Sequence, residues 1–203
     1  MQRFLSLVCA VFITSFTFAS PSYAKSAEGA KSFVNKVAGE ALSIIEKETD
    51  KQKKQKMLER LFSENVNIPW VAKFVIGRYW KQATDSQKKR YLEEYERFVL
   101  YHYASRFTDY TSGSFIITEA RDDGDGEYTV SMSLKDEKDR SSEPVFVDYR
   151  VRAEGGRFRI FDVIVEGVSM ITTQRSEFAS VLSSKDIEYL ITQLANKSIA
   201  PVK

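Results

Sequence analysis

Beyond residue 25, apolar side chains recur at intervals of three and four as far as about residue 110, and then at intervals of two. The first pattern predicts helices. Within 27–48, Phe33, Val37, Ala41, Ile44 and Ile45 share one face. Asp50 is placed to cap a second helix, in which Met57, Leu58, Leu61 and Phe62 form a narrow apolar stripe. Lys51, Lys53, Lys54, Lys56 and Arg60 fall at other angles, as a solvated face or, alternatively, a docking patch for an acidic partner. Pro69 suits a first helical turn, and Trp70, Val71, Phe74, Val75 and Tyr79 line a short helix expected to end near Trp80. From Thr84 or Asp85 the longest helix is expected to reach about Tyr110, with Tyr91, Tyr95, Phe98, Val99, His102, Arg106 and Phe107 on a broad apolar face.

After Gly113 the period changes to two. Residues 115–121 read as a strand, and Asp122-Asp123-Gly124-Asp125-Gly126 as a turn. Tyr128, Val130, Met132 and Leu134 then alternate with Glu127, Thr129, Ser131 and Ser133, a strand with one wet face. A charged loop, 136–143, precedes a third strand in which Val145, Val147, Tyr149 and Val151 alternate with Phe146, Asp148, Arg150 and Arg152. Gly155-Gly156 turns the chain into 158–165, where Phe158, Ile160 and Ile164 are expected on one face and Phe161, Val163 and Val165 on the other. Neither face suits water, so this strand is expected in the sheet interior. Gly167 supplies the exit turn, Ser169 can cap a helix over 170–182, and a last helix covers 184–196. Four strands joined in sequence make an antiparallel meander with helices before and after it, an α+β fold.

Composition adds a compartment. Residues 1–24 carry a positive end, an apolar run from Phe4 to Phe18, and Ser22-Tyr23-Ala24 as a small-x-small cleavage site. The run is shorter than the roughly 20 residues a membrane helix needs. Export is expected, with a mature chain of 25–203. Its helical part is about 25–112, its sheet about 114–166 and its C-terminal helices about 169–197. Cys9 follows the bulky Val8, which disfavours lipid attachment there. Without residues 1–24 the chain has no cysteine, and subtracting Arg3 leaves 29 basic and 28 acidic side chains. That balance argues against nucleic acid as a partner.

No catalytic constellation emerges. His102 is the single histidine, and a metal site needs several convergent ligands. Asp122, Asp123 and Asp125 do not complete a calcium loop, because Gly124 and Gly126 interrupt it and no acidic residue stands at its twelfth position. Fourteen Phe, ten Tyr and two Trp are consistent with a lined cavity and equally with a dense core.

Several spaced motifs resemble the MlaC-type periplasmic phospholipid-transport proteins, the toluene-tolerance auxiliary family: Val66-Asn67-Ile68-Pro69, the run from Gly77 to Thr84, and Val165-Glu166-Gly167-Val168-Ser169-Met170 with Arg175 and Phe178. The likeness extends in order over about 27–196. Asn67 stands where an acidic residue is expected, and Phe158 where tryptophan is expected.

The resemblance implies a cone-like domain of the nuclear-transport-factor type, its four-stranded sheet wrapped around helices, with a helical subdomain. It implies a monomeric, non-enzymatic carrier of phospholipid between the outer and inner membranes. The partners it implies are an inner-membrane ABC transporter complex and an outer-membrane lipoprotein complex, and it brings no cofactor or metal. On that reading the tails lie between sheet and helices against Val71, Phe74, Val75, Tyr95, Phe98, Val99, Val130, Met132, Val147, Tyr149, Val163 and Val165. Arg175 is expected to brace the Gly167 turn rather than grip phosphate. Two alternatives stand beside it. One is a small acid/base enzyme using Asp162 or His102; the other is an interaction subunit with a solid core, whose lysines or Arg150 and Arg152 bind a partner.

Overall fold

Most helix starts among the described residues are built from short polar side chains. A computed structural model describes residues 26–106, 113–135 and 143–197; the expected cleavage site and Cys9 lie outside them. Helix α1 (Ala27–Lys47) begins where Ser26 accepts a hydrogen bond from the Gly29 amide at 3.0 Å. In α2 (Lys51–Asn65) Asp50 accepts from Lys53 N at 2.7 Å, as its sequence position predicts. Leu58 and Leu61 of the expected stripe are buried, whereas Met57 is 40% exposed. Lys54 departs from the solvated face and is buried.

Asn67 caps α3 (Ile68–Ile76) by accepting from Trp70 N at 3.2 Å. Its amide also donates to Glu154 Oε2 at 2.8 Å, a bond an ionised aspartate cannot make. The helix expected to reach Trp80 instead stops at Gly77, whose φ of +52° and ψ of −119° suit only glycine. A single turn, α4 (Tyr79–Gln82), follows. Thr84 and Gln87 then exchange hydrogen bonds in a capping box at the head of α5 (Asp85–Arg106).

Among the described residues the sheet has the four expected antiparallel strands and a short fifth: β1 (Ser114–Gly124), β2 (Glu127–Lys135), β3 (Val145–Glu154), β4 (Arg157–Val165) and the two-residue β5 (Val168–Ser169), in sequence order. Asp125-Gly126, Gly155-Gly156 and Glu166-Gly167 are two-residue connections with positive φ at both positions. This is the hairpin geometry that matches strand twist. The first turn is therefore narrower than the acidic run suggested, because Asp122–Gly124 still pairs with β2.

Strand β4 is not fully interior. Beyond β3, among the described residues its other edge meets the short β5 and, at Ile160, a parallel bridge from Val66, with Asn67 N donating to Ile160 O at 2.8 Å. Its register with β3 slips between Arg150↔Asp162 and Val151↔Ile160, which leaves Phe161 as a bulge. The bulge overturns the expected division of faces. Val163 and Val165 join Phe158 and Ile160, while Phe161 lies beneath the guanidinium groups of Arg150 and Arg152 at 4.9 and 4.8 Å.

Helix α1 packs on β1 and β2, and α2 reaches β4. The long helix α5 takes its principal packing from α2, α3 and α7 (Ile187–Lys197), so α1, not α5, is the helix laid on the sheet. Helix α6 (Met170–Ser184) joins α3 against β4. Two main cores result. One is helical and aromatic; the other lies between α1, α2 and the sheet.

Candidate functional site

Strand register assembles an aliphatic grid on the sheet face beneath α1. Val130, Tyr149 and Val163 are direct neighbours across β2, β3 and β4, and Met132, Val147 and Val165 form the adjoining row. At a strand spacing of about 4.8 Å and about 6.7 Å between alternate residues, the six cover roughly 10 by 7 Å. Tyr128, Val151 and Ile160 extend the grid at one end. Ile117 and Ala120 widen it onto β1, where a second bulge at Thr118 keeps both on this face. That bulge hid them from a simple reading of period two.

The twelve candidate residues therefore divide. Val71, Val75, Tyr95 and Phe98 are buried in the helical core, with Phe74 and Val99 packed on it. Val130, Tyr149 and Val163 belong to the core between α1, α2 and sheet. Met132 and Val147 are buried, and Val165 is half-buried, yet among the described residues these three join none of the packed clusters. The sheet half of the expected set is thus brought together, and the helical half forms a separate group.

Polar groups differ sharply between the two. In the helical core Tyr91 donates to Ala72 O at 2.8 Å and Tyr95 donates to Gln174 Oε1 at 2.5 Å. Burial above all pushes both phenols well above their ordinary value. On the grid, burial alone pushes the Tyr149 phenol up to about 12. Its hydroxyl has no hydrogen-bond partner among the described residues and is not sealed off.

Of the two groups considered for acid/base work, Asp162 is held in structural hydrogen bonds and His102 packs against an aromatic ring. Asp162, buried on the opposite sheet face, accepts from Ser169 Oγ at 2.7 Å and Ile171 N at 3.3 Å, tying β4 to the start of α6. His102 stacks on Phe98 with ring centroids 5.0 Å apart. Arg152 donates to Glu127 Oε1 at 2.6 Å and covers Trp70 at 5.0 Å, and Arg150 also bonds Glu127. Arg175 does not brace Gly167. It donates to Phe74 O at 3.1 Å, lies over the Phe74 ring, and would stand 3.1 Å from a Cβ at Gly77. Around this break Val75, Ile76, Arg78, Tyr79 and Ala179 help enclose a pocket of about 260 Å³. Among the described residues no three His, Cys, Asp or Glu side chains are placed to hold a metal ion, and no helix is long and apolar enough to cross a membrane.

The described residues thus form an antiparallel sheet that lays a largely apolar face under helices, with Asp162 tied to the β4–α6 junction. The chain belongs to the MlaC family: the family model described as MlaC protein matches residues 35–196. It is 20% identical over 139 residues to the intermembrane phospholipid transport system binding protein MlaC of Haemophilus influenzae, covering 68% of this chain and 64% of that one. It is 23% identical over 127 residues to toluene tolerance protein ttg2D of Pseudomonas putida, covering 62% and 57%. The chain thus spans less than two thirds of the length of these curated relatives. A phospholipid-binding protein from Ralstonia solanacearum, solved in complex with a phospholipid, has the same fold at a TM-score of 0.72 and 19% identity, over 83% of this chain and 96% of that one.

Proposed function

We propose that the mature chain is a periplasmic carrier that encloses phospholipid tails and moves the lipid between the outer and inner membranes. Its expected partners are an inner-membrane ABC transporter complex and an outer-membrane lipoprotein complex. The observation that carries this reading is the six-residue grid, aliphatic except for Tyr149, aligned by strand register in a member of the MlaC family. Two acyl chains contain roughly 28 methylenes, which at about 0.8 kcal/mol each makes their exposure cost on the order of 20 kcal/mol. The carrier must cover both tails. The pocket of about 260 Å³ at Gly77 falls below the roughly 300 to 1,000 Å³ usual for ligand sites. The tails are therefore assigned to the sheet, starting from the Met132–Val147–Val165 row, and the phosphate stays in water at the mouth, where it avoids desolvation. Asp162 supports a carrier rather than an enzyme, since its two hydrogen bonds go to the β4–α6 junction.

Native mass spectrometry of protein purified from the periplasm tests this. Phospholipid adducts are expected on the wild type. Val147→Trp should lose them with its thermal transition intact, and Val163→Trp should lose them with a lowered transition, because Val163 also packs against the sheet core. Lipid retained at the wild-type level in both variants, with folding unchanged, would remove the sheet from the site.

A further inference from the structure

Tyr149 sits in the middle of the grid, flanked across the sheet by Val130 and Val163 and along its own strand by Val147 and Val151. Val130 and Val151 are 0% exposed and Val147 is 6% exposed, yet Tyr149 keeps accessible surface among them. A phenol on an aliphatic surface is normally matched by a donor or acceptor nearby, as Tyr91 and Tyr95 are in the helical core. Tyr149 has none among the described residues, and its surroundings on the sheet are valines and a methionine. Phenylalanine would fill the same volume without an unmatched hydroxyl. The hydroxyl is thus left available to a ligand on this face.

Pure hydrocarbon cannot meet it, because acyl chains offer no acceptor. The acceptor nearest to the tails in a diacyl lipid is the ester carbonyl, which joins each chain to glycerol. We infer that Tyr149 is a specificity-determining residue that donates a hydrogen bond to a tail-ester carbonyl of the bound lipid, so that the protein selects ester-linked over ether-linked phospholipid. The inference rests on the carrier reading above and makes it more specific. It also sets the depth of the cargo: the glycerol end of at least one tail reaches the Val130–Tyr149–Val163 row, and the methylenes run on from there.

The test is a competition. Delipidated wild type and Tyr149→Phe are offered equal amounts of diacyl and dialkyl phosphatidylethanolamine of the same chain length, and the bound lipids are counted by native mass spectrometry. A satisfied against an orphaned hydroxyl corresponds to roughly five- to ten-fold preference for the diacyl lipid in the wild type, falling to about one in Tyr149→Phe. Equal binding of the two lipids by the wild type overturns the inference while leaving the carrier reading intact. A loss of both lipids to the same extent in Tyr149→Phe also overturns it, since the acceptor would then lie in the shared head group. Failure of the wild type to take up either lipid removes the carrier reading itself, and the inference with it. Should Tyr149→Phe fold poorly, wild-type protein loaded with carbonyl-labelled lipid decides by infrared spectroscopy. A carbonyl stretch lowered from its value in an apolar solvent supports the bond, and an unshifted stretch overturns it.

Discussion

In the helical core, Tyr95 bonds Gln174 and meets the ring of Phe178 edge-on at 6.2 Å, while Tyr91 bonds Ala72 O and lies 5.7 Å from Tyr95. On the sheet, Tyr149 has valines around it and no such partner among the described residues. The first group has the interlocked aromatic geometry and matched hydroxyls of a solid interior. The second has a broad, largely aliphatic face and a phenol with no hydrogen-bond partner among the described residues, which is what the proposed lipid site requires. Apolar content alone does not separate the two; the fate of the hydroxyls does. The Asp162 carboxylate, bonded to Ser169 and Ile171, fastens one region to the other.

The largest test of this contrast truncates each side. Tyr95→Ala should cost roughly 3 to 5 kcal/mol, as large aromatic deletions in packed cores do, and Val147→Ala clearly less, because it removes fewer atoms and, on the proposed carrier reading, its neighbours line the lipid site. Denaturant unfolding of lipid-free protein measures both. Equal losses would mean that the grid is as solid as the helical core.

Alkaline pH comes next. A phenol held neutral up to about 12 when folded, against about 10 when unfolded, contributes stability that is complete below pH 10 and is lost as pH rises from 10 through 12. For Tyr149 this is on the order of 2 kcal/mol. Tyr149→Phe should remove that part of the alkaline loss, while the wild type and the variant differ little at pH 7. Parallel stability curves for the two proteins from pH 9 to pH 12 would contradict a phenol held neutral at this position.

Gly77→Ala probes the helical side at its break. The backbone there has φ +52° and a Cβ would stand 3.1 Å from Arg175 Nη2, so a loss of about 1 to 3 kcal/mol is expected, read from thermal unfolding. An unchanged melting temperature would show that α3 can run through Gly77. The smallest effect is expected for Asn67→Asp. The cap to Trp70 survives, but the donor to Glu154 becomes a second carboxylate, at a cost of about 0.5 to 1.5 kcal/mol at neutral pH. That cost should shrink as acid protonates one of the pair. A stability difference from wild type that does not narrow between pH 7 and pH 4 would separate Asn67 from Glu154.

Much of this was legible in the residues. Asp50, Ser169 and Thr84 cap the helices their positions indicated, and the hairpin glycines turn where they stand. Alternation also placed Val130, Met132, Val147 and Tyr149 on one face. Arg175 was misplaced because its partner, Phe74 O, is 101 residues away in sequence.

Capping, turn chemistry and hydrophobic period act over a few residues, so the chain's order of letters by itself determined the helices, the meander and the α+β class. It also carried the family likeness. Period assigns a side chain to a face but not to a partner: only the tertiary structure decided that α1 rather than α5 lies on the sheet. The bulge at Phe161 depends on how β3 and β4 register, and it alone moved Val163 and Val165 beside Ile160. Whether Tyr149 would find a hydroxyl partner was likewise decided in three dimensions, because a hydrogen bond between distant segments exists only once packing brings them together.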